Sequence, residues 1–150
     1  MSTTAYDALH DLLCRFQQAF DTHDWDLLRQ CLTARIYTDY SSLRGTPPAV
    51  VPRDEYVALR AAALTPLRMQ HNFSNLRITA DGTAVSGRCN FSIYRFAAAS
   101  SDHPDEFFHS FGHYVFAFEE EDGAWKIAGI TQVLLANQGD PALHAGVRAR

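Results

Sequence analysis

Three short segments hold the residue types that a proton transfer needs: Phe20-Asp21-Thr22-His23-Asp24-Trp25, Tyr37-Thr38-Asp39-Tyr40-Ser41 and Met69-Gln70-His71-Asn72. An imidazole has an unperturbed pKa near the working pH, so a neutral histidine can accept a proton. A carboxylate fixes the tautomer of a ring it touches, and a phenol can hydrogen-bond to charge that develops on oxygen. Each residue also has a plainer reading. Asp21 could cap the following helix, although Asp24 stands closer to it; His71 could be a satisfied core histidine, and Tyr40 a packed aromatic with a bonded tip. An enzyme that moves a proton is the first hypothesis.

The elements that must position these residues can be read from periodicity. Leu9, Leu12, Leu13, Phe16, Ala19 and Phe20 recur at i, i+3, i+4 spacing, which predicts an amphipathic helix over Ala5 to Phe20. Asp24 is suited to capping a second helix that ends near Cys31, with Trp25, Leu28 and Leu32 on one face. A short strand is expected over Ile36–Tyr40, then a loop over Ser42–Pro52 with Gly45 and Pro47-Pro48. Arg53-Asp54-Glu55 opens a third helix that Pro66 stops.

Beyond Pro66 the period changes to two. Met69–Thr79, Ala84–Ala97, Phe107–Glu119 and Ala124–Leu135 read as long antiparallel strands, joined by Asp81-Gly82, a polar loop over Ala98–Asp105, and Asp122-Gly123. Alternation slips between His71/Phe73 and Leu76/Ile78, which calls for a β-bulge near Ser74-Asn75. The expected fold is α+β: a cone-shaped, curved antiparallel sheet with three N-terminal helices covering one side. Both sheet faces are apolar, so the second is expected to meet another subunit, in a dimer or trimer. One domain spans 1–150, with the polar stretch 137–150 expected as a flexible tail.

Composition narrows the partners. The chain is 47% apolar and 12% aromatic with a net charge of only −4, which argues against disorder and against a nucleic-acid footprint and favours a neutral small molecule. Cys14, Cys31 and Cys89 are odd in number and widely spaced, and read as core residues in a reducing compartment, the cytoplasm. There is no signal-peptide pattern and no run of 18 apolar residues, so no membrane role is expected. His109-x-x-x-His113 on a strand spans about 13 Å at ~3.3 Å per residue, too far for one metal ion. Neither metal nor cofactor is expected.

The Asp21-x-x-Asp24-Trp25-Asp26 segment, the Ile36-x-x-Asp39-Tyr40-Ser41 strand, Gln70-His71 and the Asp122-Gly123-Ala124-Trp125-Lys126-Ile127-Ala128-Gly129 hairpin together resemble the nuclear-transport-factor-2-like, or SnoaL-like, superfamily. The scytalone dehydratase branch is the most similar. The resemblance implies that Asp21 orients His71, that the pair removes a carbon-bound proton, and that Tyr40 hydrogen-bonds the substrate carbonyl directly or through water. It implies a second histidine on the strand before the final hairpin, either His109 or His113. Where scytalone dehydratases have a tyrosine before the aspartate, this chain has Phe20, which makes scytalone itself an unsuitable substrate.

The expectation that follows is a cofactor-independent dehydratase, isomerase or cyclase acting beside a carbonyl of a hydrophobic ring compound. Its pocket would be lined by Phe16, Phe20, Phe73, Phe91 and Phe111, with Asn75 or Asn90 assisting the enolate. The plainer reading of His109 and His113 is a subunit interface; His10, His23, His103 and His144 are expected at the surface. The alternatives are a non-catalytic ligand-binding or dimerisation module and the small subunit of a ring-hydroxylating oxygenase.

Overall fold

The computed structural model describes residues 1–97 and 106–144. Helix α1, Thr3–Asp21, begins at Ser2, whose side chain accepts from the Ala5 amide, and buries the face read from the sequence: Leu9, Leu12, Leu13, Phe16, Ala19 and Phe20. Helix α2, Trp25–Gln30, starts where Asp24 accepts from the Leu27 amide at 3.0 Å. A carboxylate at that point satisfies an amide the helix cannot and complements its dipole. Asp24, not Asp21, is thus the cap.

Strand β1, Leu32–Asp39, leads to Tyr40 and a one-turn helix α3, Ser41–Arg44, closed by Gly45 at φ 68°. Strand β2, Ala49–Pro52, and helix α4, Arg53–Leu64, follow. The expected loop over 42–52 therefore contains a helical turn and a strand. Ala49–Pro52 can be a strand because it is a sheet edge, where a proline's missing donor faces no partner.

The long strands are β3, Leu67–Asp81; β4, Ala84–Ala97; β5, Phe108–Glu121; and β6, Ala124–Gly139. They pair consecutively and antiparallel, as expected, and β3 carries its register shift between Ser74 and Arg77, with Asn75 at φ 57°. The sheet order is β2-β1-β6-β5-β4-β3, with β1 parallel to β6. With the helices on one side this is the expected α+β fold; the sheet is open, with β2 and β3 as edges, and the parallel β1–β6 pair is its departure from a purely antiparallel sheet.

Pairing across the sheet defines two faces. Met69, Arg95, Ile93, Ser110, Cys89, Tyr114, Gln132 and Phe116 lie on the inner one, where α1 packs through Phe16, 5.7 Å from the Phe116 ring. Tyr94, Phe111, His113 and Val115 lie on the outer one. Residues 137–144 are not a loose tail: Asn137–Gly139 continue β6, Pro141–Leu143 form a 3-10 turn, and His144 is buried. The loop assigned to Ala98–Asp105, His103 within it, and the last six residues lie outside the described residues. Among the described residues no helix is long and apolar enough to cross a membrane.

Candidate active site

Asp21 is the last residue of α1, and His71 lies on β3, which that helix packs against. Asp21 Oδ1 is 2.7 Å from His71 Nδ1, and both carboxylate oxygens accept from the His71 backbone N–H, at 2.9 and 3.0 Å. With Nδ1–H donating to the carboxylate, Nε2 carries the lone pair. The ring stacks on Phe20 at 5.1 Å, and the His71 side chain is only 6% exposed. Burial lowers the His71 pKa from its ordinary value; the Asp21 bond opposes this and the Arg95 charge adds to it. The imidazole is therefore neutral at pH 7 and able to accept a proton.

His71 forms part of the wall of a cavity between the inner sheet face and the helices. Tyr40 enters from the end of β1, Leu43 and Arg44 from α3, and Tyr56, Arg60 and Leu64 from successive turns of α4. Ile93, Arg95, Tyr114, Gln132 and His144 complete the wall. The space between atoms amounts to about 410 Å³ with its mouth included, but a water's centre can occupy only about 30 Å³ of it, room for one or two waters. Anything larger than a few atoms fits only if the surrounding side chains shift.

Beside the two histidines and Gln132, the polar groups on this wall are phenol hydroxyls and guanidiniums. The Tyr40 and Tyr56 hydroxyls are 2.7 Å apart, and the Tyr114 hydroxyl accepts from Gln132 Nε2 at 3.2 Å. Burial raises the pKa of all three phenols, so each keeps its proton for donation. Arg95 Nη1 donates to Phe108 O at 3.3 Å and Ser110 Oγ at 2.9 Å. Burial first, then Arg95 and Arg44, lower the His144 pKa to about 3. Among the described residues no three His, Cys, Asp or Glu side chains come together as metal ligands.

A family model described as a SnoaL-like domain matches residues 1–131. The chain belongs to the SnoaL-like family. Within it the chain stands with the scytalone dehydratase branch: it is 28% identical over 121 residues to a dehydratase of Pestalotiopsis microspora, covering 75% of this chain and 76% of that one. It is 24% identical over 132 residues to scytalone dehydratase of Colletotrichum orbiculare, covering 83% and 70%. The solved structure of a Kribbella flavida protein shares the fold with a TM-score of 0.83 at 18% identity, over 90% of this chain and 93% of that one.

In this SnoaL-like chain the residues nominated from sequence separate into two groups. Phe20, Tyr40 and His71 meet at the cavity, with Asp21 behind the histidine. His109 and His113 do not join them, because β5 alternates and turns Phe108, Ser110, Tyr114 and Phe116 inward. His109 instead packs among Tyr94, Phe96 and Phe107 on the outer face, and His113 pairs with Asn90 there. Asn90 is exposed, Asn75 sits exposed at the bulge, and Phe111 lies against Tyr94 outside. Phe73 packs edge-on to His10, and Phe91 fills the core beside Tyr114 without reaching the cavity.

Sequence reading missed Tyr56, Arg60, Arg95, Tyr114, Gln132 and His144. A signal was present for two groups. Cys89, Phe91, Ile93 and Arg95 share one parity of β4, which puts a cation on a buried face; Tyr56, Arg60 and Leu64 recur every four residues on one face of α4. His144 was expected at the surface but is 4% exposed, because the 3-10 turn after β6 folds it inward.

Proposed function

We propose that this protein is a lyase or isomerase that removes a carbon-bound proton next to a carbonyl, with His71 as base, and that it needs no cofactor for this. The observation that carries the reading is the 2.7 Å contact between Asp21 and His71 on the wall of a cavity with buried phenols. Membership in a dehydratase-containing family supports it. The C–H bond breaks toward His71 Nε2, and its electron pair passes into an enolate that Tyr40 and Tyr56 stabilise by hydrogen bonding. Asp21 stabilises the imidazolium that forms.

Because His109 and His113 lie outside the cavity, the protonated His71 is the group to return the proton. His144, held neutral by burial, does not carry one at pH 7. If the substrate bears a β-hydroxyl, its C–O bond breaks as the enolate collapses, and the oxygen leaves as water with the proton from Nε2. Without a leaving group the proton returns to another carbon, an isomerisation. The outer face of the sheet, with Val115 and Leu135 exposed, is the surface this reading gives to a second copy of the chain.

The test is exchange of carbon-bound deuterium from labelled cyclic ketones and β-hydroxyketones by wild type and His71→Ala. Exchange by wild type, reduced ~10²–10⁴-fold in the variant with ligand binding retained, is expected. No exchange of any ligand that binds wild type would instead favour a binding module.

A further inference from the structure

The cavity carries an unbalanced charge. Arg44, Arg60 and Arg95 line it, and among the described residues no Asp or Glu does. Asp21, behind His71, is committed to that residue's ring and amide. Among the described residues none of the three arginines forms an ion pair. The chain as a whole is acidic, at −4, so this concentration of cations is local to the cavity.

Arg95 is the most constrained of the three. It is 3% exposed, and its hydrogen bonds run to neutral acceptors only, with the Phe108 ring 5.2 Å from its guanidinium. Burial lowers its pKa to about 10, which leaves it charged at pH 7. Arg44 and Arg60 each bury an Nε that has no partner, while their guanidiniums lie over the Tyr40 ring at 4.6 and 5.0 Å. A buried cation without a counter-charge is costly, and a guanidinium fork matches a carboxylate in bidentate geometry.

We propose that the cavity takes a carboxylate-bearing carbonyl compound, its carboxylate seated among Arg95, Arg44 and Arg60 while its acidic C–H meets His71. The position of the C–H rests on the proton-transfer reading above; the charge of the ligand does not. This replaces the neutral partner expected from overall composition, because net charge averages over a surface and says nothing of one cavity. The competing role for the arginines is to stabilise only the charge that develops on an enolate oxygen. In that case a neutral ligand would bind as tightly as its acid.

Benzoate and its neutral isostere benzamide distinguish these, titrated calorimetrically into the full chain as wild type, Arg95→Gln and Arg60→Gln. Wild type should bind benzoate at least about tenfold more tightly than benzamide, and Arg95→Gln should lose that preference. If Arg95→Gln does not fold, as read by circular dichroism, Arg60→Gln carries the test with a preference reduced about threefold or more. Equal affinities in wild type, a preference unchanged in the variants that fold, or no benzoate binding at its solubility limit would overturn the proposal. His71→Ala should keep the preference while losing exchange. Benzoate preference in a protein that exchanges nothing would sink the proton-transfer reading alone, whereas neutral-ketone exchange without benzoate preference would sink the anion proposal alone.

Discussion

One carboxylate holds His71 at two points: Asp21 Oδ1 binds the ring nitrogen at 2.7 Å, and both oxygens bind the backbone nitrogen of the same residue within 3.0 Å. Ring orientation and strand position are thus fixed by the last residue of α1. Asp21→Asn keeps an acceptor for the amide but removes the charge that favours the imidazolium, so exchange should fall ~10²-fold or more with the fold intact. Asp21→Ala should in addition cost about 1–3 kcal/mol, since two N–H groups lose their acceptor. Exchange rates and melting curves for both variants check this; an Asn variant as active as wild type would remove the carboxylate from the mechanism.

The pH profile follows from the environment of His71. A base acts in its neutral form, and burial together with Arg95 lowers its pKa from the ordinary value. The rate should therefore rise with pH through a midpoint below ~6.5 and level off above it. Arg95→Gln removes a neighbouring cation, so the midpoint should move upward. A midpoint at or above the ordinary value in wild type, or a downward shift in the variant, would contradict this account of the cavity.

Tyr40 and Tyr56 depend on each other. Their hydroxyls are 2.7 Å apart and both rings are buried, so Tyr40→Phe or Tyr56→Phe leaves a stranded hydroxyl, at about 1–3 kcal/mol. The double Phe variant should cost less than the sum, with a coupling of roughly 0.5–3 kcal/mol in urea unfolding. Additive losses would mean that the bond contributes nothing to stability. Each single variant should also slow exchange, because the enolate loses part of its hydrogen bonding.

His144 makes stability sensitive to acid. In the folded chain it stays neutral down to about pH 3, whereas the unfolded chain takes up that proton near pH ~6.5. Between those values the unfolded state binds more protons, so this contribution is complete above ~6.5 and is lost as pH falls toward 3. His71, also lowered, acts with the same sign. The Tm should drop between about pH 7 and about pH 4, and less steeply in His144→Gln. Identical slopes would show that His144 is not buried in solution.

Elements carried by local pattern were legible in the sequence, and elements carried by distant pairing were not. The α1 stripe, the Asp24 cap and the bulge at Asn75 depend on neighbours within a few residues, and spacing reveals them. The parallel pairing of β1 with β6 leaves no local trace, and Ala49–Pro52 reads as loop because Pro47-Pro48 precede it and Pro52 ends it. At the site, a family resemblance supplied Asp21, Tyr40 and His71. For the second histidine the resemblance points to the strand before the final hairpin but not to a face of it, and His109 and His113 share the outward parity of β5. Both parities of β4 and β5 carry apolar side chains, so only the packed helices reveal that Ser110, Tyr114 and Arg95 face inward.

The place of β1 in the sheet has a consequence for the order in which the chain acquires its properties. β1 lies between β2 and β6, and the Ile127 amide donates to Cys31 O across about two thirds of the chain's length. Until β6 exists, β1 has only a four-residue edge strand beside it, and a two-stranded pair is marginal in water. Tyr40, at the end of β1, should therefore be set among the last residues, after the β3–β6 meander has formed. On refolding, strand structure should return early and proton exchange late, and a chain still being synthesised leaves β1 without its parallel partner until β6 arrives.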